Sequence, residues 1–242
     1  EKDRLPMPSK SARKPPKEQI RRDRLVELYA RWVAFYHARR SLVLGVAGGM
    51  VVLLALVAGG IAYLNYQNQQ AHEALGRVVL WFESGQYQKA LDGDRAQGIA
   101  GLPEIADRYR WTQGGKLAAY YAGVAYYELG QYEQARQYFS RYPNNGTLLA
   151  AAARAGEAAA YENLGQYAQA AALYLRAVSQ YKSALLAPEY LAGAARCFEL
   201  SGDLRAAMRT YERIRKEYPD SPQANEAERH IIRLEAALAS GA

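Results

Sequence analysis

Three histidines, one cysteine and a few paired carboxylates are the residues of this 242-residue chain whose types could do chemistry. Histidine can move protons or bind a metal near neutral pH. A thiolate is a nucleophile, and paired carboxylates in a desolvated cleft can share acid–base work. Their spacing points to none of these. His37, His72 and His230 lie in three separate regions, and no Cys/His pair has the short spacing of a metal site. Cys197 is alone, so no disulfide can form within the chain. In its apolar helical setting it reads as a small core residue, with a reactive thiol as the alternative. It is also far from residue 1, which disfavours a lipid-modified cysteine and hence an outer-membrane lipoprotein. Carboxylate pairs such as Asp92/Asp94 and Glu226/Glu228 fall in a loop and on a polar helix, where water competes. There is no GxxxxGK followed by Ser/Thr, no GxGxxG after a strand pattern and no GxSxG. The expectation is therefore no catalytic residue, no cofactor and no metal, so not an enzyme. Repeat scaffolds rarely host catalysis on their own.

The elements that carry these residues divide by charge. Residues 1–41 hold twelve Lys/Arg and five Asp/Glu, a net +7, whereas residues 65–242 hold nineteen of each. Between them Leu42–Leu64 runs 23 residues without a charged side chain. A bilayer needs about 20 apolar residues, so 42–64 is expected to be a transmembrane helix. Arg39 and Arg40 precede it, and the uncharged Asn65–Gln70 follows, with Arg77 the first basic residue beyond. The positive-inside rule then puts the N-terminus in the cytoplasm and the rest across the membrane. Tyr63 and Tyr66 sit where an interfacial aromatic belt would be. A cleaved signal peptide is the alternative, but the basic region and the apolar run are both too long for one. Gly45 and Gly49 form a GxxxG pair that would let another membrane helix approach closely. With the basic excess confined to one side of the span, no nucleic-acid partner is expected.

Residues 1–17, with four of the nine prolines, read as a disordered basic tail. Residues 18–41 read as an amphipathic juxtamembrane helix. Leu25, Leu28, Tyr29, Trp32, Phe35 and Tyr36 recur at helical spacing among arginines. Such a helix lies on an anionic leaflet, either in lipid contact alone or docked on a membrane partner.

The strongest pattern is a repeat. Gly85-Gln-Tyr-Gln-Lys-Ala90, Gly130-Gln-Tyr-Glu-Gln-Ala135, Gly165-Gln-Tyr-Ala-Gln-Ala170 and Gly202-Asp-Leu-Arg-Ala-Ala207 share one form, with glycine spacings of 45, 35 and 37. Each of the last three glycines is expected to end a first helix in a left-handed turn. Ala135, Ala170 and Ala207 then allow close helix crossing, with Phe139, Tyr174 and Tyr211 four residues on along the same face. Tyr126, Tyr161 and Phe198 stand four residues before the glycines, and Gly123 and Ala158 supply small residues. Pro219 follows the last unit.

This pattern resembles the tetratricopeptide repeat family. The resemblance implies an all-α fold: one transmembrane helix, then an α-solenoid of helical hairpins. Residues 116–242 hold three units, at about 116–145, 150–182 and 188–220, and a capping helix at 222–239. Residues 65–115 read as a linker and a degenerate first repeat. Its stretch 92–114 is broken by glycines and Pro103 into a loop with a short helix, either packed on the stack or projecting. The layout further resembles the YfgM-like family of inner-membrane proteins. That likeness implies an ancillary subunit of the Sec translocon with a periplasmic repeat domain, contacting the channel, periplasmic chaperones and exported client proteins.

Such a stack binds along a surface lined by the first helix of each unit. Register places Tyr120, Val124, Tyr127 and Glu128 there, then Ala155, Ala159, Glu162 and Asn163, then Ala192, Arg196 and Glu199. Ala151–Ala153 would leave room for a bound helix or peptide. Register alone assigns Tyr120 and Tyr127 as readily to the inter-repeat core, where Tyr121 and Tyr126 belong. The expected function is a membrane-anchored protein-binding scaffold, an adaptor of the export machinery. The alternative is a structural subunit of another inner-membrane complex, respiratory or envelope-spanning.

Overall fold

The computed structural model describes residues 17–240. Of the expected disordered tail, residues 1–16 lie outside them, and Lys17 begins a helix instead. The chain divides into two parts, Glu1–Ile61 and Ala62–Ala242.

In the N-terminal part, helix α1 (Lys17–Ala38) is followed, after a turn at Arg39, by the start of α2 (Arg40–Glu83). The apolar side chains from Leu42 onward are almost all exposed. Among the described residues, α2 is the one helix long and apolar enough to cross a membrane.

The C-terminal part is a series of helical hairpins. The end of α2 packs on α3 (Tyr87–Asp92), its Leu75 and Val78 sharing a cluster with Ala90 and Leu91. α5 (Gln113–Glu128) pairs with α6 (Tyr132–Ser140), and α7 (Leu148–Asn163) with α8 (Tyr167–Gln180). α9 (Ala187–Leu200) pairs with α10 (Leu204–Glu217), and α11 (Pro222–Ala239) packs on α10 and α9. The repeated glycines make each hairpin possible. Gly130, Gly165 and Gly202 have φ of 73°, 74° and 84°, as does Gly85 at 74°. That left-handed backbone costs an L-residue with a side chain about 1–2 kcal/mol. The amide after each glycine then reaches back to a carbonyl five residues earlier, as from Gln131 to Tyr126 at 2.8 Å and Gln166 to Tyr161 at 2.9 Å. These bonds satisfy the open carbonyls of the helix end.

Alanine and glycine set the helix separation. Ala135, Ala170 and Ala207 are fully buried. The aromatic four residues on fits against the next unit: a Cβ added at Gly156 would lie 2.6 Å from the Phe139 ring, and one at Gly193 would lie 2.9 Å from that of Tyr174. Glycine at these sites is thus a packing requirement, because interiors leave no room for one more methyl.

The first hairpin differs. α3 has six residues and stops at Gly93, after which Gly93–Asp94 (β1) pairs antiparallel with Ile99–Ala100 (β2). α4 (Leu102–Arg108) follows and packs on α5. Leu102 and Ile105 are fully buried with Leu75, Val78, Ala118 and Ala122. The stretch 92–114 therefore packs on the stack, with α4 in place of the missing length of second helix, and the pair of short strands was not foreseen. At the start of α5, Thr112 accepts the Gly115 amide at 3.1 Å. The Gly114 amide donates to Asn68 Oδ1 of α2 at 2.9 Å. A side chain at Gly114 would collide with Ala71, at 2.6 Å.

Candidate functional site

The first helices of the hairpins, α5, α7 and α9, together with α11, stand side by side and share one face. Counting back from the turn glycines, Tyr127, Glu162 and Glu199 occupy one register position, and Val124, Ala159 and Arg196 another, three residues earlier. These two positions meet across the units. Arg196 donates from Nε to Glu162 Oε1 at 2.6 Å and from Nη2 to Oε2 at 3.0 Å, across 34 residues. Tyr174 donates its hydroxyl to the same carboxylate at 3.1 Å. One unit on, Arg233 of α11 donates to Glu199 Oε2 at 2.5 Å, again across 34 residues. His230 Nδ1 lies 3.1 Å from the other oxygen of Glu199, and the Tyr211 ring stacks on His230 at 4.6 Å. At the first junction Asn163 Nδ2 donates to the Tyr127 hydroxyl at 3.1 Å.

Burial and the neighbouring carboxylate push the phenols of Tyr174 and Tyr211 well above their ordinary range, so both remain donors at neutral pH. The hydrogen bonds to Glu162 raise Arg196 further, which keeps it charged.

The expected groove residues thus divide. Glu162 and Glu199 expose 16% and 14% of their side chains and hold neighbouring units together. Arg196, Asn163 and Glu128 are exposed. Tyr120, Val124 and Tyr127 are half-buried against Phe139 and Ala135, so their ring bodies belong to the core. Tyr120 packs 5.9 Å from Phe139 and 6.3 Å from Tyr142, centroid to centroid, and burial raises its phenol. Ala159 and Ala192 are half-buried, whereas Ala155 is buried. One expectation is corrected: Ala151 and Ala153 are buried core, filled by the adjoining helices, and leave no space for a ligand. Gly45 and Gly49 lie exposed on α2, with nothing within 4 Å of where a Cβ would stand.

Arg233, His230, Tyr174 and Tyr211 were missed as members of this network. The recurring 34-residue separation of Glu162 from Arg196 and Glu199 from Arg233 was the signal that could have found them. A buried ion pair within α7, Arg154 with Glu157, was missed too. Cys197 is buried, and desolvation first of all pushes its thiol up to about 12, so it is un-ionised and unreactive at neutral pH. Asp92 accepts from Gln88 at 2.9 Å, Asp94 from the Gln97 amide at 3.1 Å, and Glu228 pairs with Arg215 at 2.8 Å. Among the described residues, no three metal-binding side chains converge.

A tetratricopeptide repeat family model matches residues 117–145 and 193–221, the α5–α6 and α9–α10 hairpins. Among solved structures, the chain is similar to the nearly identical TPR-like repeats of a Podosopora anserina protein described as a kinesin light chain. The TM-score is 0.53 at 15% identity, covering 72% of this chain and 89% of that one. A variant of the same repeats gives the same TM-score and identity, with 88% of its length covered. At this identity the likeness is one of fold: a tetratricopeptide-like α-solenoid. No curated protein sequence matches the chain.

Proposed function

We propose that this protein is a membrane-anchored scaffold that binds another protein on the face of α5, α7 and α9. The observation that carries the reading is the ladder of contacts between successive first helices. Glu162–Arg196 and Glu199–Arg233 hold the helices in one register, so a partner would meet a surface whose side chains are already ordered. Pre-ordering removes part of the entropic cost of association. The face offers the uncovered edges of half-buried Tyr120 and Tyr127 beside exposed Glu128, Asn163 and Arg196, a mixture of aromatic, arginine and polar groups that interfaces favour.

In this reading Leu42–Leu64 spans the inner membrane once. The N-terminus is cytoplasmic, in keeping with twelve Lys/Arg among residues 1–41, and the repeats are periplasmic. The finer assignment is an ancillary subunit of the Sec translocon that engages exported clients or periplasmic chaperones. It is supported by the layout: a basic arm, one span, an uncharged link, a degenerate first repeat and three regular ones.

Photocrosslinking tests both levels. A photoreactive residue replaces Glu128 or Asn163 in the full chain in native membranes, with exposed Leu185, in the loop between α8 and α9, as control. Mass spectrometry should find export clients or chaperones at the first two sites, and translocon subunits at a third probe placed in the apolar run, at exposed Leu53. Equal labelling at Leu185 would remove the face from consideration. Neighbours drawn from a respiratory or envelope-spanning assembly would instead remove the translocon assignment.

A further inference from the structure

We propose that the corner between α4 and α5 is a second membrane contact, with Trp111 in the interfacial layer and Arg110 and Lys116 on anionic phospholipid headgroups. The proposal rests on the reading that Leu42–Leu64 spans the bilayer.

Trp111 is 73% exposed, the described residues leaving most of its indole uncovered. The Arg110 guanidinium stands 4.9 Å from its ring centroid. The indole lines a cavity of about 430 Å3 together with, among others, Asp107, Arg110, Lys116 and Arg141. Arg141 is neutralised by Asp107 at 2.6 Å, and nearby Arg108 by Glu104 at 2.5 Å. Arg110 and Lys116 have no ion pair among the described residues. Trp111 also lines a smaller pocket with Tyr63, Leu64 and Gln67. Tyr63 and Leu64 are the last residues of the apolar run.

That continuity sets the depth. Asn68, which receives the Gly114 amide at 2.9 Å and so fixes the start of α5, comes one helical turn after Leu64. At 1.5 Å per residue this is about 6 Å beyond the end of the run, and the headgroup layer is roughly 5–8 Å thick on each side. Trp is favoured at that level because its ring is apolar and its N–H polar. Uncompensated Arg and Lys side chains are drawn to anionic headgroups. The chemistry of the occupant is therefore a lipid phosphate beside an acyl–glycerol boundary.

The full chain in nanodiscs tests this. Quenching of tryptophan emission by lipids brominated near the headgroup is compared between the natural chain and Trp111→Phe, so that the difference isolates Trp111 from Trp32 and Trp81. In discs containing phosphatidylglycerol, Trp111 should be quenched, with severalfold slower amide exchange over residues 108–116. The quenching should persist in pure phosphatidylcholine, because the continuity of α2 sets the depth, whereas the slow exchange should be lost there and in an Arg110→Gln/Lys116→Gln variant whose helicity is unchanged. An unquenched Trp111 in a chain whose Leu42–Leu64 amides are protected would overturn this contact and leave the span intact. A chain that fails to enter the discs would overturn the span and this contact together. Protection found in native membranes but not in pure lipid discs would overturn it in favour of an acidic protein partner.

Discussion

Arg196 closes a two-pronged ion pair on Glu162, the residue 34 positions before it, and Arg233 stands to Glu199 in the same relation. The second pair gives α11 a definite role: it presents Arg233 where α9 presents Arg196. The likeness extends one turn along the helix. Gly193, three residues before Arg196, lies against the Tyr174 ring. His230, three before Arg233, stacks on Tyr211 at 4.6 Å with the planes 15° apart. α11 is thus seated as the first helix of a further unit.

The two partners in the Glu162–Arg196 pair are unequally exposed, 16% against 52% of the side chain, and their removal should differ accordingly. Arg196→Ala leaves a mostly buried carboxylate with the Tyr174 hydroxyl as its remaining donor, at a cost of about 1–2 kcal/mol. Glu162→Ala leaves an arginine that water can solvate and one neutral donor, the Tyr174 hydroxyl, without its acceptor, and should cost less, about 1 kcal/mol. The double variant should be little worse than Arg196→Ala. Urea denaturation of all four proteins measures the coupling. Strictly additive losses would mean that the pair does not hold α7 to α9.

Two glycines with different duties separate packing from backbone strain. Gly156→Ala puts a methyl 2.6 Å from the Phe139 ring and should cost about 1–3 kcal/mol by overpacking. Adding Phe139→Leu should recover part of that loss. Gly130→Ala meets nothing within 4 Å, but must hold φ near 73°. It should cost about 1–2 kcal/mol, with no rescue from any core change. Denaturant midpoints of the single and double variants distinguish the two mechanisms.

The hairpins could be read from the sequence because glycine, alanine and aromatic residues recur at fixed offsets, and each offset has a local cause. The turn at Gly165 needs a positive φ, and the contact at Ala170 needs a short side chain. The packing of residues 92–114 could not be read that way. Gly93 and Gly101 look like chain breakers, yet a Cβ at Gly101 would stand 1.8 Å from the Leu91 carbonyl oxygen. They are close approaches between segments, a tertiary property with no local signal. The face was hidden in a similar manner. Register identifies Glu162 and Glu199 as neighbours in the series, but their accessibility depends on an arginine one whole unit further on. Tyr120 shows the same limit, since only the position of Phe139 decides how much of its ring is covered.

Cys197 gives a pH dependence of definite sign. Its thiol moves from an ordinary value of 9.0 to about 12 on folding, chiefly through desolvation. Between those values the unfolded chain has lost its thiol proton and the folded chain has kept it. The unfolded state then binds fewer protons, so stability falls as pH rises from about 9 to 12 and is unaffected below 9. Tyr174 and Tyr211, also raised by burial, act in the same direction at higher pH. Denaturation midpoints at pH 7, 9 and 11 should be level and then fall, with a smaller early drop in Cys197→Ala. At pH 8 the native thiol should resist iodoacetamide and react promptly once denaturant is added. Rapid labelling of the native protein would refute the buried, neutral state.

Removing α11 should damage the stack from that end inward. Ala224, Ala227, Ile231 and Leu234 of α11 are buried in one cluster with Leu191 and Ile214, both fully covered in the intact fold. A chain stopped after Asp220 would open that cluster to water and break the Arg233–Glu199 contact. Each repeat is stabilised mainly by its neighbours, so the loss should fall first on α9 and α10 and fade toward α5. Hydrogen exchange followed by mass spectrometry would show fast exchange over residues 187–217, intermediate rates over 148–180 and near-native protection over 113–140. Uniform loss of protection from Gln113 to Glu217 would mean that the hairpins fold as one cooperative block. Unchanged protection in α10 would mean that α11 covers a surface the stack does not need.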